Sequence, residues 1–407
     1  MTDRPHDAAL PHLALLLRGA ADGLRAAGGP DWAMCATLAL RHGLGPLLYH
    51  CGPRIAEEWP MPPEVERELR TSYMGATLEN RAWLAEAGRA IGRMAAAGVP
   101  VAALKGLHLA AAVYDEPALR KLGDVDLLVP AEQLQAARAA LIDDGYTPDG
   151  PDDPTIHHVA PMSKPRAAPI ELHWELCPES NPFRMDVAPL WERMVPITVA
   201  GQPALGLSPE DLLLHLCVHG TFNHRWVLPL RNVFDIVMVV ERNAADLRWD
   251  LLVETAHATR TERAVFCGLA LARETFGVEV PGGLLDRLVP AREGAAAVRI
   301  ARENVLGHES AGPEWMDAAV GQPTLTGRMR GLLGRVFAPP ERLLETSGRR
   351  VGLGRLAWVY LTRPAVLLLR HRGRIAGLLK GGPAERAQLR AARSSAALGA
   401  WVTSRDT

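Results

Sequence analysis

Aromatic residues are scarce in this chain: six Phe, ten Trp and five Tyr make up 5% of 407 residues. No basic stripe interleaved with aromatics lies near the polar motifs described below, so a nucleic-acid partner is not expected. Cysteine is equally thin. Cys35, Cys51, Cys177, Cys217 and Cys267 are scattered, with no Cys-x-x-Cys among them. That spacing speaks against a disulfide framework and predicts reduced thiols and a cytoplasmic protein. No apolar run reaches the roughly 18 residues of a membrane span. The opening MTDRPHDAALPHLALLLRGA carries an acidic residue early and a short apolar run before Arg18, which fits an amphipathic helix better than a signal peptide. No internal repeat is visible.

What remains is ordinary soluble globular composition, 48% apolar and 22% charged, in a chain long enough for two or three domains. The formal charge of -1 is unevenly spread. Residues 341–407 hold 13 Lys and Arg against 4 Asp and Glu, a net of +9, which leaves 32 against 42, or -10, for residues 1–340. A basic segment thus follows an acidic body.

Residues 8–98 read as helical, with apolar residues at three- and four-residue spacing around Ala8 to Ala27, Asp31 to Leu40 and Pro63 to Ala97. The last helix stops at Gly98-Val99-Pro100. The chain then enters VAALKGLHLAAAVYDEPALRKLGDVDLLV, residues 101–129, which reads as strand, turn, short helix, loop and second strand. On the second strand Asp124 and Asp126 point to one side, Val125 and Leu127 to the other. Paired carboxylates suit a hard cation such as Mg²⁺, which takes one or two carboxylates and the phosphates of a substrate. A solvated strand edge is the alternative for so short a motif. Gly106, opening the short helix, would let free N–H groups approach a phosphate, with Lys105 just before it.

After a helix ending at Gly145 and the polar loop TPDGPDDP comes IHHVAPMSKPRAAPIELHWEL, residues 156–176. Its end alternates: Ile170, Leu172 and Trp174 on one face, Glu171, His173 and Glu175 on the other. Glu171 is placed to complete a three-carboxylate site with Asp124 and Asp126, and Glu175 reads as an exposed strand end. His173 is either a hydrogen-bonded structural histidine or a substrate contact. His157 or His158 faces the same cleft from a preceding strand, with Ser163-Lys164 in the hairpin between them.

Further on, Ser208, Pro209 and Asp211 punctuate a helix start. His215 and His219 share a face of that helix, with Cys217 turned away. Their spacing also occurs in zinc sites, but no Glu follows His215 as in His-Glu-x-x-His hydrolases. The helix is expected to line the cleft or to pack in the core. Arg231 and Asp235, four apart, are expected to pair on the next helix, and Asn223, His224 and Arg225 lie in the connection, where ligand contacts are common. Residues 249–305 read as packing helices, and residues 306–350 are broken by Gly and Pro. In the basic tail, LGRLAWVYLTRPAVLLLRHRGRIAGLLKG is expected to pack on the acidic body rather than to lie on a membrane surface or dock an acidic partner, because Pro364 interrupts a long amphipathic helix.

The ordered set LKG, Arg120, GDVDLLV, IELHWEL, LLLHLCVHG and WVLPLRNVFDI resembles the uncharacterised nucleotidyltransferase family of the DNA polymerase β-type nucleotidyltransferase superfamily, over roughly residues 80–275. The resemblance implies an α+β fold, a small mixed β-sheet core at 99–206 flanked by helical regions at 1–98 and 207–340, with the basic tail at 341–407. It implies metal ligands Asp124, Asp126 and Glu171 for two Mg²⁺ ions. It also implies a nucleotide-binding set of Lys105, Gly106, Arg120, Lys121, His173, His219, Arg231 and Asp235. The activity implied is transfer of a nucleoside monophosphate from an NTP, with ATP expected, to a hydroxyl of a small molecule, sugar or peptide. A noncatalytic nucleotide- or partner-binding protein, or phosphoryl transfer from the same site, is the alternative. Two departures stand out. The usual Gly-Ser is Lys105-Gly106-Leu107 here, and 17 residues separate Gly106 from Asp124, so the loop with Arg120 and Lys121 is expected to reach the phosphates.

Overall fold

The structure, a computed structural model, describes residues 5–152, 157–177, 181–183, 185–307 and 383–404. The apolar part of the basic tail, 353–381, and most of 306–350 lie outside the described residues. Packing divides the chain into two compact units, Met1–Asn223 with Leu228–Val298, and His224–Val227 with Arg299–Thr407. The sheet and the site described below belong to the first.

Helices α1 (Pro5–Leu17), α2 (Ala21–Ala26), α3 (Trp32–Arg41) and α4 (Gly45–Cys51) lead into α5 (Pro63–Ala96), which carries a buried stripe of Val65, Leu69, Ala76, Asn80, Leu84, Ala87, Ile91 and Met94. Steps of three, four and seven keep these residues on one side of a helix. One member of the stripe, Asn80, is polar, and it returns at the site. The helix stops as its sequence dictates. Gly98 takes φ +76°, Gly98 N–H bonds Ala95 O at 2.9 Å and Val99 N–H bonds Met94 O at 3.0 Å, the paired bonds of a Schellman end.

The chain then builds a seven-stranded mixed sheet in the order β3-β4-β5-β2-β1-β7-β6. The strands are β1 (Ala102–Ala103), β2 (Val125–Leu128), β3 (Thr147–Pro148), β4 (Met162–Ser163), β5 (Ile170–His173), β6 (Val195–Val199) and β7 (Gln202–Gly206). Strand β2 lies inside the sheet, antiparallel to β1 and parallel to β5, and all four of its residues are buried. Val125 and Leu127 of β2 and Ile170 and Leu172 of β5 join Leu84, Ala87, Ile91 and Met94 of α5 in one apolar core. The alternate residues Asp126, Glu171 and His173 therefore point to the other side. This is the mixed α+β architecture expected from the sequence.

The β6–β7 hairpin closes one edge through Ala200 (φ +46°) and Gly201 (φ +83°), two left-handed residues whose twist matches that of paired strands. Helix α5 crosses this hairpin at Gly88, where an added Cβ would fall 2.8 Å from Val199 O. Between β1 and β2 run the short α6 (Lys105–His108), a wide π turn at Leu109–Val113, and a loop. Helix α7 (Leu134–Asp143) follows β2, and α8 (Ala188–Arg193) precedes β6. After the sheet come α9 (Pro209–Val218), continued by a π turn at His219–Asn223, then α10 (Leu230–Arg242), α11 (Trp249–Thr259), α12 (Glu262–Phe276), α13 (Leu284–Leu288), α14 (Ala291–Leu306) and α15 (Pro383–Thr403). The start of α9 is capped as its sequence suggests: Ser208 Oγ accepts from Asp211 N and donates to Asp211 Oδ2 at 2.8 Å. Among the described residues no helix is long and apolar enough to cross a membrane.

Candidate functional site

The site follows from strand register. Pairing of β2 with β5 sets Asp126 beside Glu171 and Leu128 beside His173. Asp126, 1% exposed, is the hub. Its Oδ1 accepts from Lys105 Nζ at 2.8 Å and from His173 Nε2, also at 2.8 Å. Glu171 Oε2 lies 3.7 Å from His173 Nε2 and 3.9 Å from His158 Nε2. One ligand atom each of Asp126, Glu171 and His173 fall within 4.8 Å of one another, a grouping able to hold a metal ion. Asp124 precedes Asp126 by two residues on the same side of the strand and is partly exposed.

Electrostatics separate these carboxyls. Burial would raise the Asp126 pKa, but the Lys105 ammonium and the His173 hydrogen bond outweigh it and hold the group well below the carboxylate range. Asp124 goes the other way. Burial, then the charge of Asp126, push it up to about 6, with Lys105 opposing. At Glu171 the His173 ring outweighs burial and the repulsion of Asp126, so its pKa falls. Lys105 is raised in turn: burial disfavours its charge, but Asp126 first, then Asp124 and Glu171, more than offset that cost.

Lys105 reaches Asp126 from an unusual backbone. Its φ is +42°, in the left-handed region that side chains other than glycine's rarely enter. Gly106 is not the left-handed residue, and a Cβ there would meet Leu122 Cδ2 at 3.4 Å and Arg120 Nη1 at 3.7 Å. The turn thus bends at the lysine rather than at the glycine.

Residues 28–277 match the family described as uncharacterised nucleotidyltransferase, over more than half of the chain. The chain belongs to that family. No curated protein and no solved structure matches it. The family match begins well before residue 80, so helices α3 to α5 fall within it together with the sheet and α9 to α12.

Seen as a member of this nucleotidyltransferase family, the chain surrounds the carboxylates with an uneven set of cations. Arg120 is buried, and its Nε donates to Asp235 Oδ1 at 2.8 Å and Oδ2 at 3.0 Å, while Tyr114 Oη donates to the same Oδ1 at 2.9 Å. Asn80 holds that loop: its Nδ2 donates to Arg120 O at 2.8 Å, and its Oδ1 accepts from Leu122 N at 3.2 Å. Asp235 therefore pairs with Arg120 and not, as helical spacing suggested, with Arg231. The reason is burial. Asp235 is 0% exposed, and the partner that reaches it comes from the β1–β2 connection rather than from one turn back along α10.

Arg231 is left without a hydrogen bond at Nε. Its guanidinium fills the space beside Gly43, where an added Cβ would lie 2.8 Å from Nη1. Burial, and then repulsion by Arg120, lower its pKa, while Asp235 and Asp124 attract it. Lys121 lies outside this group, exposed and paired with Glu79 Oε2 of α5 at 3.4 Å.

Histidines line the far side. The rings of His157, His158 and His173 stand 4.9 to 5.3 Å apart. His215 stacks on His219 at 6.1 Å, and Asn223 Nδ2 lies 3.5 Å from His219 Nδ1. Burial, then the charge of Lys105, push His215 down to about 3, while burial and the neighbouring rings do the same to His157. Among the described residues, His215 and His219 join no cluster of three metal-ligating side chains. Asn80 and Tyr114 escaped sequence reasoning. A polar residue on the apolar stripe of α5 was the signal for Asn80, and Tyr114 gave none.

Proposed function

We propose that this chain is a Mg²⁺-dependent nucleotidyltransferase that moves a nucleoside monophosphate from an NTP, with ATP expected, to a hydroxyl of a small molecule, sugar or peptide. The observation that carries the reading is the register pairing of Asp126 with Glu171, with Asp124 two residues away. The donor set fits a hard divalent cation. Carboxylate oxygens dominate it, and among the described residues the one ammonium paired with them, Lys105, leaves three carboxylates in excess of positive charge. Asp124, Asp126 and Glu171 would hold two ions, with His173 positioning the latter two carboxylates. What a bound metal pair supplies is acidification of the attacking hydroxyl and neutralisation of the departing pyrophosphate.

The chain's own residues do the rest. Glu171, the more accessible carboxylate, faces the acceptor hydroxyl and receives its proton as the oxygen–Pα bond forms and the Pα–pyrophosphate bond breaks. Arg231, whose Nε makes no hydrogen bond among the described residues, and Lys105 meet the triphosphate charge. Arg120, fixed by Asp235, sets the shape of the loop beside them. The acidic body argues for an acceptor other than nucleic acid, and five cysteines outside any disulfide fit the cytoplasm.

Incubation with each NTP, Mg²⁺ and a panel of hydroxyl acceptors, followed by mass measurement, tests the reading. A nucleotide adduct on the acceptor is expected, and a phosphate adduct would replace nucleotidyl by phosphoryl transfer. The saturation of Asp126 Oδ1 by two donors favours a second reading, nucleotide binding without turnover. Saturable NTP binding with no adduct on any acceptor would select it.

A further inference from the structure

The ammonium of Lys105 occupies an oxygen of the carboxylate that a metal would use. Nζ is 2.8 Å from Asp126 Oδ1, and the side chain is only 17% exposed. The same oxygen accepts His173 Nε2 at 2.8 Å, so both of its lone pairs are engaged. Mg²⁺ binds carboxylate oxygen at about 2.0–2.1 Å, which leaves no room for a second positive charge on that oxygen. The lysine also holds its place against backbone preference. Left-handed backbone at φ +42° is disfavoured for a non-glycine residue, and the neighbouring glycine does not take the bend instead.

Displacement of this ammonium by metal alone would take a largely buried charge off its one hydrogen-bonded carboxylate and set it beside a second cation that competes for Asp124 and Glu171, which is costly. A triphosphate changes that balance. It offers the ammonium a stronger anionic partner within reach of a four-carbon stem, and it frees Asp126 in the same step.

We propose that Lys105 is an internal counter-cation that keeps Asp126 closed to metal until a triphosphate draws the ammonium away, so that metal and nucleotide bind together. The inference rests on the nucleotide-site reading above. Coupling of this kind is reciprocal: nucleotide tightens metal, and metal tightens nucleotide by the same factor.

The test uses the full chain and Mn²⁺ as a paramagnetic probe, with free ion read by electron paramagnetic resonance. Lys105→Gly is the main variant, because glycine accepts the left-handed backbone, and Lys105→Gln is the second should the glycine variant melt early. Either neutral variant is expected to bind Mn²⁺ alone about tenfold tighter than the unaltered chain, within the usual range of coupling. Lys105→Arg, which keeps the charge, is expected to bind like the unaltered chain. Adding Asp126→Asn to the neutral variant is expected to cancel the gain. A nonhydrolysable ATP analogue is expected to tighten Mn²⁺ in the unaltered chain by a larger factor than in the neutral variant, a difference that sets aside direct Mn²⁺–nucleotide coordination. Equal Mn²⁺ affinity in the unaltered chain and both neutral variants, lost in each with Asp126→Asn, would overturn the counter-cation while leaving the metal site standing. Absence of any Asp126-dependent Mn²⁺ binding, even with the analogue present, would overturn the site reading and the counter-cation with it.

Discussion

His173 stands between two carboxylates, its Nε2 2.8 Å from Asp126 Oδ1 and 3.7 Å from Glu171 Oε2. An ionised carboxylate only accepts hydrogen bonds, so Nε2 carries the proton toward Asp126. Its Nδ1 is buried and makes no hydrogen bond. The imidazole therefore has one anchor, the carboxylate, and the carboxylate has the imidazole and Lys105. Removing Asp126 releases both of its donors, whereas removing either donor leaves the other bond in place.

This relationship makes the site sensitive to conservative changes. Asp126→Asn keeps the volume of the side chain and is expected to abolish metal-dependent transfer while the fold persists. His173→Gln keeps a donor but loses the ring that orients both carboxylates, and activity is expected to fall by about 10- to 100-fold, as for other residues that support metal ligands. Circular dichroism checks the fold, and mass-detected product formation checks the activity. Full activity in Asp126→Asn would remove Asp126 from the catalytic set.

The Arg120–Asp235 pair is structural, and its loss is expected to show as stability. Arg120 has 8% of its side chain exposed and Asp235 none. Asp235→Ala leaves the guanidinium buried and uncompensated and takes the acceptor from Tyr114 Oη, at an expected cost of about 3–5 kcal/mol. Replacing both partners together, as Arg120→Met with Asp235→Leu, removes the stranded charge and is expected to recover most of that loss. Urea denaturation of the unaltered chain, Asp235→Ala and the double variant measures it. A double variant as unstable as Asp235→Ala would mean that the loop, rather than the charge, depends on the pair.

Local periodicity made half of this site legible. Alternation in IELH put Glu171 and His173 on one side of a strand, and the spacing in GDVDLLV did the same for Asp124 and Asp126. The parallel pairing of those strands is what joins them, and no local pattern encodes it. Gly98 read correctly as a helix end because its bonds are made within six residues. Asp235 misled because a four-residue spacing on α10 offers Arg231, whereas the partner that satisfies a fully buried carboxylate is 115 residues away in sequence. The bend at Lys105 was hidden for a related reason. Glycine is the default left-handed residue, and the ion pair that holds a lysine there is tertiary. In the β6–β7 hairpin the apolar Val195, Ile197 and Val199 do alternate with the exposed Pro196 and Thr198, but the run is five residues long and Pro196 lies inside it, which weakens a strand reading.

Arg231 is expected to separate binding from folding. It makes no internal bond at Nε, so Arg231→Gln removes no fold contact of the kind Asp235 makes. Unfolding free energy is expected to stay within about 1 kcal/mol of the unaltered chain. The loss is expected in KM for the NTP, by about tenfold or more, since a charge-assisted bond to phosphate contributes on the order of 1.5–3 kcal/mol. Steady-state kinetics against NTP concentration measures it. An unchanged KM would place the triphosphate away from α10.

His108 gives the fold a pH dependence of predictable sign. It is 3% exposed, its Nδ1 makes no hydrogen bond, and Gly206 packs so closely that an added Cβ would lie 2.8 Å from Cε1. Burial lowers its pKa from 6.5 to about 4. Above 6.5 the ring is neutral in the folded and unfolded chains alike, and its contribution to stability is full. Between 6.5 and about 4 the unfolded chain takes a proton that the folded chain refuses, so stability falls with falling pH. Below about 4 both states are protonated and no further loss accrues. The total is on the order of 3 kcal/mol, at about 1.4 kcal/mol per pH unit. His157 and His215 are lowered as well, so the informative quantity is a difference. Urea midpoints for the unaltered chain and His108→Gln, measured at pH 7.5, 6 and 5, are expected to converge as pH falls, because the glutamine variant has no proton to refuse. Parallel profiles would mean that water or a local opening lets the ring titrate as it does in the unfolded chain.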